Sequence, residues 1–363
     1  MPHLMISLHR DDLADYRPVP AVLASACSTG RARVLRRGRK PTRSGAARRP
    51  KSLVLAFAAG LQFACTVVHA DQSGTPFWTS GQFASLAAVP PSPGWSVNLT
   101  GYGYHGSAGA STRLPIGRAI VLNASQRSPS LSVQPGYAPE STLLGGQPFV
   151  GLSFGIGGNH LRGDVTGPSG VQISRSDTLY AGTDLYPFSS LGWTRGNDNW
   201  MVYLTGDIPV GAYQASRLAN IGIGHAAIDG GVAYTYYDAK TGVEFSAVAG
   251  LTHNWENSHT NYKNGLDSHL DWAASRFVDA NWELGVAGYV YYQLTGDSGS
   301  GDVLGPFKSR VAAIGPEIGY QFTVAGAQWS ANLRAYSEFS ARNRYEGYAL
   351  FATLNIPLTS TNK

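Results

Sequence analysis

The chain has 363 residues, 44 of them Gly, with 11% aromatic and only 14% charged side chains, a composition of short strands and tight turns rather than of Lys- and Glu-rich helices. Its formal net charge of +5 comes from one end: 12 of the 28 Lys and Arg and 3 of the 23 Asp and Glu fall in residues 1–70, leaving 16 basic against 20 acidic residues beyond them. No basic stripe is then left to neutralise phosphates, which excludes nucleic acid as a partner, and because Cys27 and Cys65 also precede residue 71, a Cys metal site or disulfide frame is excluded from the remainder.

Residues 1–50 form a basic leader, with runs such as Arg31-Ala32-Arg33-Val34-Leu35-Arg36-Arg37, that holds too few apolar residues to build a core. It reads as a disordered arm or as sequence upstream of a mis-assigned start. Residues 51–70 read as a signal peptide: Arg48, Arg49 and Lys51 precede the apolar run 53–68, which ends in Val68-His69-Ala70, a small-residue cleavage pattern that places the cut near Ala70. The run falls short of the roughly 20 apolar residues that span a bilayer. Residues 71–94 then form an N-terminal periplasmic segment, and the sequence leaves open whether it plugs the lumen of the domain after it.

From residue 95 to 363 the chain predicts an all-β, antiparallel transmembrane barrel of about twelve strands. In 282–294, Trp282, Leu284, Val286, Val290, Tyr292 and Leu294 fall on one face and Glu283, Ala287, Tyr289, Tyr291 and Gln293 on the other, as side chains alternate along a strand. Val243, Phe245, Ala247, Ala249 and Leu251 repeat the apolar face, and Tyr348, Leu350, Ala352, Leu354 and Ile356 do so near the end. Strands are expected to start near residues 95, 118, 147, 174, 199, 228, 242, 268, 282, 310, 328 and 347. The connections alternate: short near 144–146, 195–198, 238–241, 278–281 and 324–327, longer and polar near 106–117, 159–173, 210–227, 256–267, 296–309 and 340–346. Such alternation is the asymmetry of short periplasmic turns and long external loops.

The inward faces carry the candidate lumen residues. Asp207, Glu244, Asp271, Glu283, Glu317, Arg334 and Glu338 would be costly against lipid, so they imply a wetter interior. With Tyr289, Tyr291 and Tyr336 they form either a constriction that selects solutes or a set of ion pairs that fills a narrow barrel.

Several stretches resemble a known family. Thr205-Gly206-Asp207-Ile208-Pro209-Val210-Gly211-Ala212-Tyr213, Arg217-Leu218-Ala219-Asn220-Ile221-Gly222, Ile228-Asp229-Gly230-Gly231, Gly265-Leu266-Asp267-Ser268-His269-Leu270-Asp271-Trp272 and the segments 293–299 and 308–316 are similar, in order and spacing, to the outer-membrane transporter family named for the meta-pathway of phenol degradation. The resemblance covers most of residues 140–357, with a looser match at 81–90. It implies a barrel channel for aromatic or other hydrophobic compounds, and it carries over no binding residues.

Enzymatic patterns fail on geometry. Gly101-Tyr102-Gly103-Tyr104-His105-Gly106 has dinucleotide spacing but lacks the strand-to-helix setting that gives it meaning. His105, His160, His225, His253, His259 and His269 show no helical two-ligand spacing, although His253 and His259 with Glu256 share one loop. Ser268 and His269 are adjacent on a strand, so they face opposite sides and cannot act as nucleophile and base. The expectation is therefore a non-enzymatic, cofactor-free channel in the outer membrane of a Gram-negative bacterium. Its expected partners are outer-membrane lipids, the outer-membrane assembly machinery and small hydrophobic or aromatic solutes. A barrel hydrolase and a structural or surface-interaction barrel are the alternatives.

Overall fold

In the computed structural model the described residues are 76–359, except 110, 117, 118, 167–171, 304 and 307. The basic leader, the signal peptide with its cleavage site and both cysteines lie outside them. Fourteen strands run in chain order: β1 (Gly94–Ser107), β2 (Leu114–Ile116), β3 (Ala119–Ala138), β4 (Gln147–Thr166), β5 (Gln172–Gly182), β6 (Tyr186–Arg195), β7 (Asp198–Asp207), β8 (Ala227–Asp238), β9 (Val243–Asn254), β10 (Asp267–Phe277), β11 (Trp282–Gln293), β12 (Arg310–Val324), β13 (Ala327–Arg342) and β14 (Glu346–Pro357). All pair antiparallel with their neighbours, β1 closes on β14, and β4 joins β3 to β6, so twelve strands complete a closed barrel. A closed cylinder satisfies every backbone group within the wall, as a lipid-embedded sheet must. Among the described residues no helix is long and apolar enough to cross a membrane.

The two remaining strands are additions. β2 forms a short hairpin with β3, and β5 continues the line of β6 along the upper half of β4, pairing Gln172 to Gly182 with Ile156 to Thr166. The strand expected to start near 174 is thus interrupted at 183–185. Asp184 is the cause. Its carboxylate is fully buried and accepts the backbone N–H groups of Gly211 (2.6 Å) and Ile223 (3.0 Å), so the chain is tied there to the loop 208–226 instead of to β7.

The predicted faces hold. On β11, Trp282, Leu284, Val286, Val290 and Tyr292 are 42–49% exposed, whereas Glu283 is 5% and Tyr291 fully buried. The outer face is greasy because it meets lipid, and the polar face turns to an interior that must pair its own charges. Five connections, at 139–146, 196–197, 239–242, 278–281 and 325–326, lie at one end of the barrel. The tightest are built from turn chemistry: Asp238 accepts from the Lys240 N–H and the Thr241 hydroxyl, and Gly242 takes a φ of +71° that a side chain would strain. At the opposite end, 208–226, 255–266 and 294–309 are long, while 343–345, expected among the longer loops, is only a tight turn.

Candidate functional site: a plugged lumen

Residues 76–93 precede the first strand and contain Pro76, Pro90, Pro91, Pro93 and no two-residue period, so they cannot extend the sheet. The sequence leaves open whether they plug the lumen; in the structure residues 78–88 lie against the inner faces of the barrel wall. An irregular segment buried inside a barrel has backbone N–H groups that need acceptors. The wall supplies them. Asp271 on β10 accepts from Gly81 (3.0 Å) and Phe83 (3.3 Å), Glu317 on β12 from the Ser85 N–H and hydroxyl, and Glu244 on β9 from Leu86 (2.9 Å). Ser246 and Thr235 accept from Ala87 and Ala88. In return Arg334 donates to the Gln82 carbonyl and Tyr336 to that of Gly81, each at 3.2 Å.

The plug fits closely at Gly81. Its φ is +84°, and a Cβ there would stand 2.8 Å from the rings of both Tyr289 and Tyr336. Three residues earlier, the Trp78 indole stacks on His269 with ring centroids 3.6 Å apart. His269 Nε2 lies 3.0 Å from an Asp229 carboxylate oxygen, and Asp229 also accepts from Tyr203 (2.8 Å) and Thr252. The aromatic stack thus rests on a buried, hydrogen-bonded imidazole rather than on a mobile side chain.

All ten candidate lumen residues face inward and are buried. Asp271, Glu317, Glu244, Arg334 and Tyr336 bond the plug directly, and Tyr289 packs against it. Glu283 stands behind them, sharing the Ser275 hydroxyl with Glu244. Glu338 accepts from Tyr104 and Tyr289, and Tyr291 lies beneath the guanidinium of Arg344. Asp207 is elsewhere, at the end of β7 beside Asp184. His253 and His259 do not meet: the first packs on Trp255, the second on Tyr213. Ser268 faces away from His269 and donates to the Tyr292 carbonyl.

Across the plug from the acidic wall lies a cavity of about 320 Å³. The plug contributes Phe77, Trp78 and Phe83 to it, and the barrel adds Tyr102, Tyr186, Phe188 and Phe351. Its other surface is uncharged and hydrogen-bonding: Asn98 and Thr100 from β1, Ser130, Ser132 and Gln134 from β3, Ser153 from β4, Thr205 from β7 and Thr353 from β14. The loop 208–226 folds inward: Leu218 packs with Leu114, Ile116 and Leu161, Arg217 forms an ion pair with Asp177 (2.6 Å), and the Asn220 carbonyl accepts from Asn159. Sequence reading missed the cavity, the Trp78–His269–Asp229 assembly and Arg344. The alternation of Gln126, Ser128, Ser130, Ser132 and Gln134 along β3, inward at every second position, was its one available signal.

A closed twelve-stranded antiparallel cylinder, apolar outside and occupied by its own N-terminal segment, is a transmembrane β-barrel of the outer-membrane type. The chain belongs to the family described as "Putative MetA-pathway of phenol degradation", whose pattern matches residues 135–354. Among solved structures it is similar to the COG4313 outer membrane channel from Pseudomonas putida F1, with a TM-score of 0.52 and 13% identity over 73% of this chain and 96% of that one. Weaker likenesses are to a Pseudomonas aeruginosa FadL homologue (TM-score 0.36, 8% identity, 73% and 90% coverage) and to the β domain of the Bordetella autotransporter BrkA (TM-score 0.42, 10% identity, 74% and 100% coverage). No curated protein matches the chain at a significant level.

Proposed function

We propose that the protein is a passive transporter that admits small hydrophobic or aromatic compounds across the outer membrane, and that the 320 Å³ cavity is where such a compound rests on its way. The observation that carries this reading is the cavity's lining. Aromatic faces on one side and neutral hydroxyl and amide groups on the other suit a ring with a polar substituent, and sites for small molecules are concave, mostly apolar and furnished with a few polar groups. Edge-to-face and stacked contacts with Trp78, Phe83 and Phe188 would supply affinity of about 0.5–1.5 kcal/mol per ring pair beyond burial.

In this reading the charged residues act through the plug. While Asp271, Glu317 and Glu244 hold the N–H groups of residues 81–86, the acidic half of the lumen is closed, and release of those bonds widens the path. Phenol and benzyl alcohol influx into liposomes carrying the barrel tests the proposal. Uptake above that of empty vesicles is expected, and influx equal to empty vesicles would overturn it.

A further inference from the structure

Where β13 turns into β14, a second cavity of about 70 Å³ is lined by Arg344, Ser80, Trp78, Gln126 and Ser128, and also by Glu338 with Tyr104 and Tyr289. Arg344 belongs to the connection 343–345. Its guanidinium lies over the ring of Tyr291, 4.8 Å from the centroid, a contact that covers one face of the cation but uses none of its N–H groups as an in-plane donor. Its Nε–H and Nη1–H are buried without an acceptor in the protein, as are the indole N–H of Trp78 and the hydroxyl of Ser80. Three side chains from two separate segments therefore bring unused donors to one small cavity. Guanidinium and indole can only donate, and buried donors left without an acceptor are costly. Glu338 is the acidic group whose charge reaches Arg344. Its oxygens are already taken by the hydroxyls of Tyr104 (2.7 Å) and Tyr289 (2.8 Å) and the Gly347 N–H (2.9 Å).

We propose that this cavity is an anion subsite that takes the carboxylate of a small organic acid, with Arg344 as counter-charge and Trp78 and Ser80 as flanking donors. Size and surroundings select the class. A space of 70 Å³ has room for a carboxylate. Trp78, Thr79 and Tyr102 line both this cavity and the larger one, so a carboxylate held at Arg344 leaves its ring beside the aromatic and hydroxyl lining already described. The solutes named by this geometry are aromatic monocarboxylates. As a statement about transport this rests on the channel reading above; as a statement about binding it does not.

The test is calorimetric titration of the full chain in detergent with benzoate and with benzyl alcohol, a neutral probe of the same shape. Benzoate is expected to bind at least about tenfold more tightly, the scale of one charge-assisted hydrogen bond. Arg344→Gln should abolish that preference, Arg344→Lys should keep part of it, and Trp78→Phe should lose a smaller part. Gel mobility before and after heating verifies that each variant is a folded barrel, and Ser80→Ala, which deletes a single hydroxyl, gives a milder loss if Arg344→Gln fails to fold. Equal affinity for the two probes, or a benzoate preference that survives in folded Arg344→Gln, overturns the subsite. Liposome influx separates the two proposals. Benzyl alcohol that enters with no benzoate preference in binding sinks the subsite alone. Benzoate that binds through Arg344 while neither probe enters sinks the channel reading alone.

Discussion

The lumen wall built by β8 to β13 carries Glu244, Asp271, Glu283, Glu317 and Arg334, whereas the wall facing it across the plug, from β1, β3 and β4, offers Thr100, Ser130, Ser132, Gln134 and Ser153. Both point inward, and both are polar. They differ in what touches them: the first wall bonds backbone N–H groups of residues 81–88, and the second borders open space. Inward charge in a barrel is therefore no direct signature of a solute path. A buried carboxylate is stable where several donors converge on it, and an irregular stretch of main chain is a dense source of donors.

The strongest way to break this comparison is to remove residues 76–90. Every rung of the closed sheet lies outside that segment, so the barrel should still assemble, and its single-channel conductance in planar bilayers should rise several-fold. An unchanged conductance would show that the plug does not occupy the path. Next comes Asp271→Ala, which strands the N–H groups of Gly81 and Phe83. Losing bonds to a charged acceptor should cost plug seating about 3 kcal/mol, near a hundredfold in the undocked population, read as faster hydrogen exchange at residues 81–88. Asp271→Asn, which keeps one acceptor oxygen, should cost less.

Gly81→Ala sharpens the comparison from the plug's side. The strained φ and the contact with Tyr289 and Tyr336 predict about 1–2 kcal/mol of the same loosening, checked by the same exchange experiment. On the opposite wall, Ser132→Ala should leave that exchange unchanged to within about 0.5 kcal/mol and alter only the relative influx of phenol and toluene. The smallest effect lies outside the lumen altogether. At the turn before β11, the N–H groups of Trp282 and Asn281 hold the Asp279 carboxyl below its usual range. A carboxyl with its folded-state pKa depressed stabilises the turn above the ordinary carboxylate pKa of about 4, and that contribution is lost as pH falls through the lower folded value. Asp279→Ala should therefore lower the thermal midpoint slightly at pH 7 and not at pH 2.

Much of this fold was legible because lipid imposes it. Predicted starts such as 147, 282 and 310 coincide with those of β4, β11 and β12, and the rest fall within two residues, since outward apolar alternation and turn residues repeat at each strand. What was illegible depends on distant partners. The break at Asp184 is set by amides 27 and 39 residues onward. The pairing of His269 with Asp229 spans 40 residues across three strands. The plug has no periodicity to detect, so its Asp271, Glu244 and Glu317 acceptors read only as inward charge. Arg344, in a three-residue turn, carries no pattern at all.

The central claim is that the plug closes the lumen by docking on the acidic wall. The chain beyond residue 70 has no cysteine, so a double variant with Ala88→Cys and Thr235→Cys, whose native counterparts are joined by a 3.0 Å hydrogen bond, can tether plug to wall by a single disulfide. Phenol influx into liposomes should fall on oxidation and recover on reduction. Equal influx in the oxidised and reduced states, with the cross-link shown to have formed, would contradict the account.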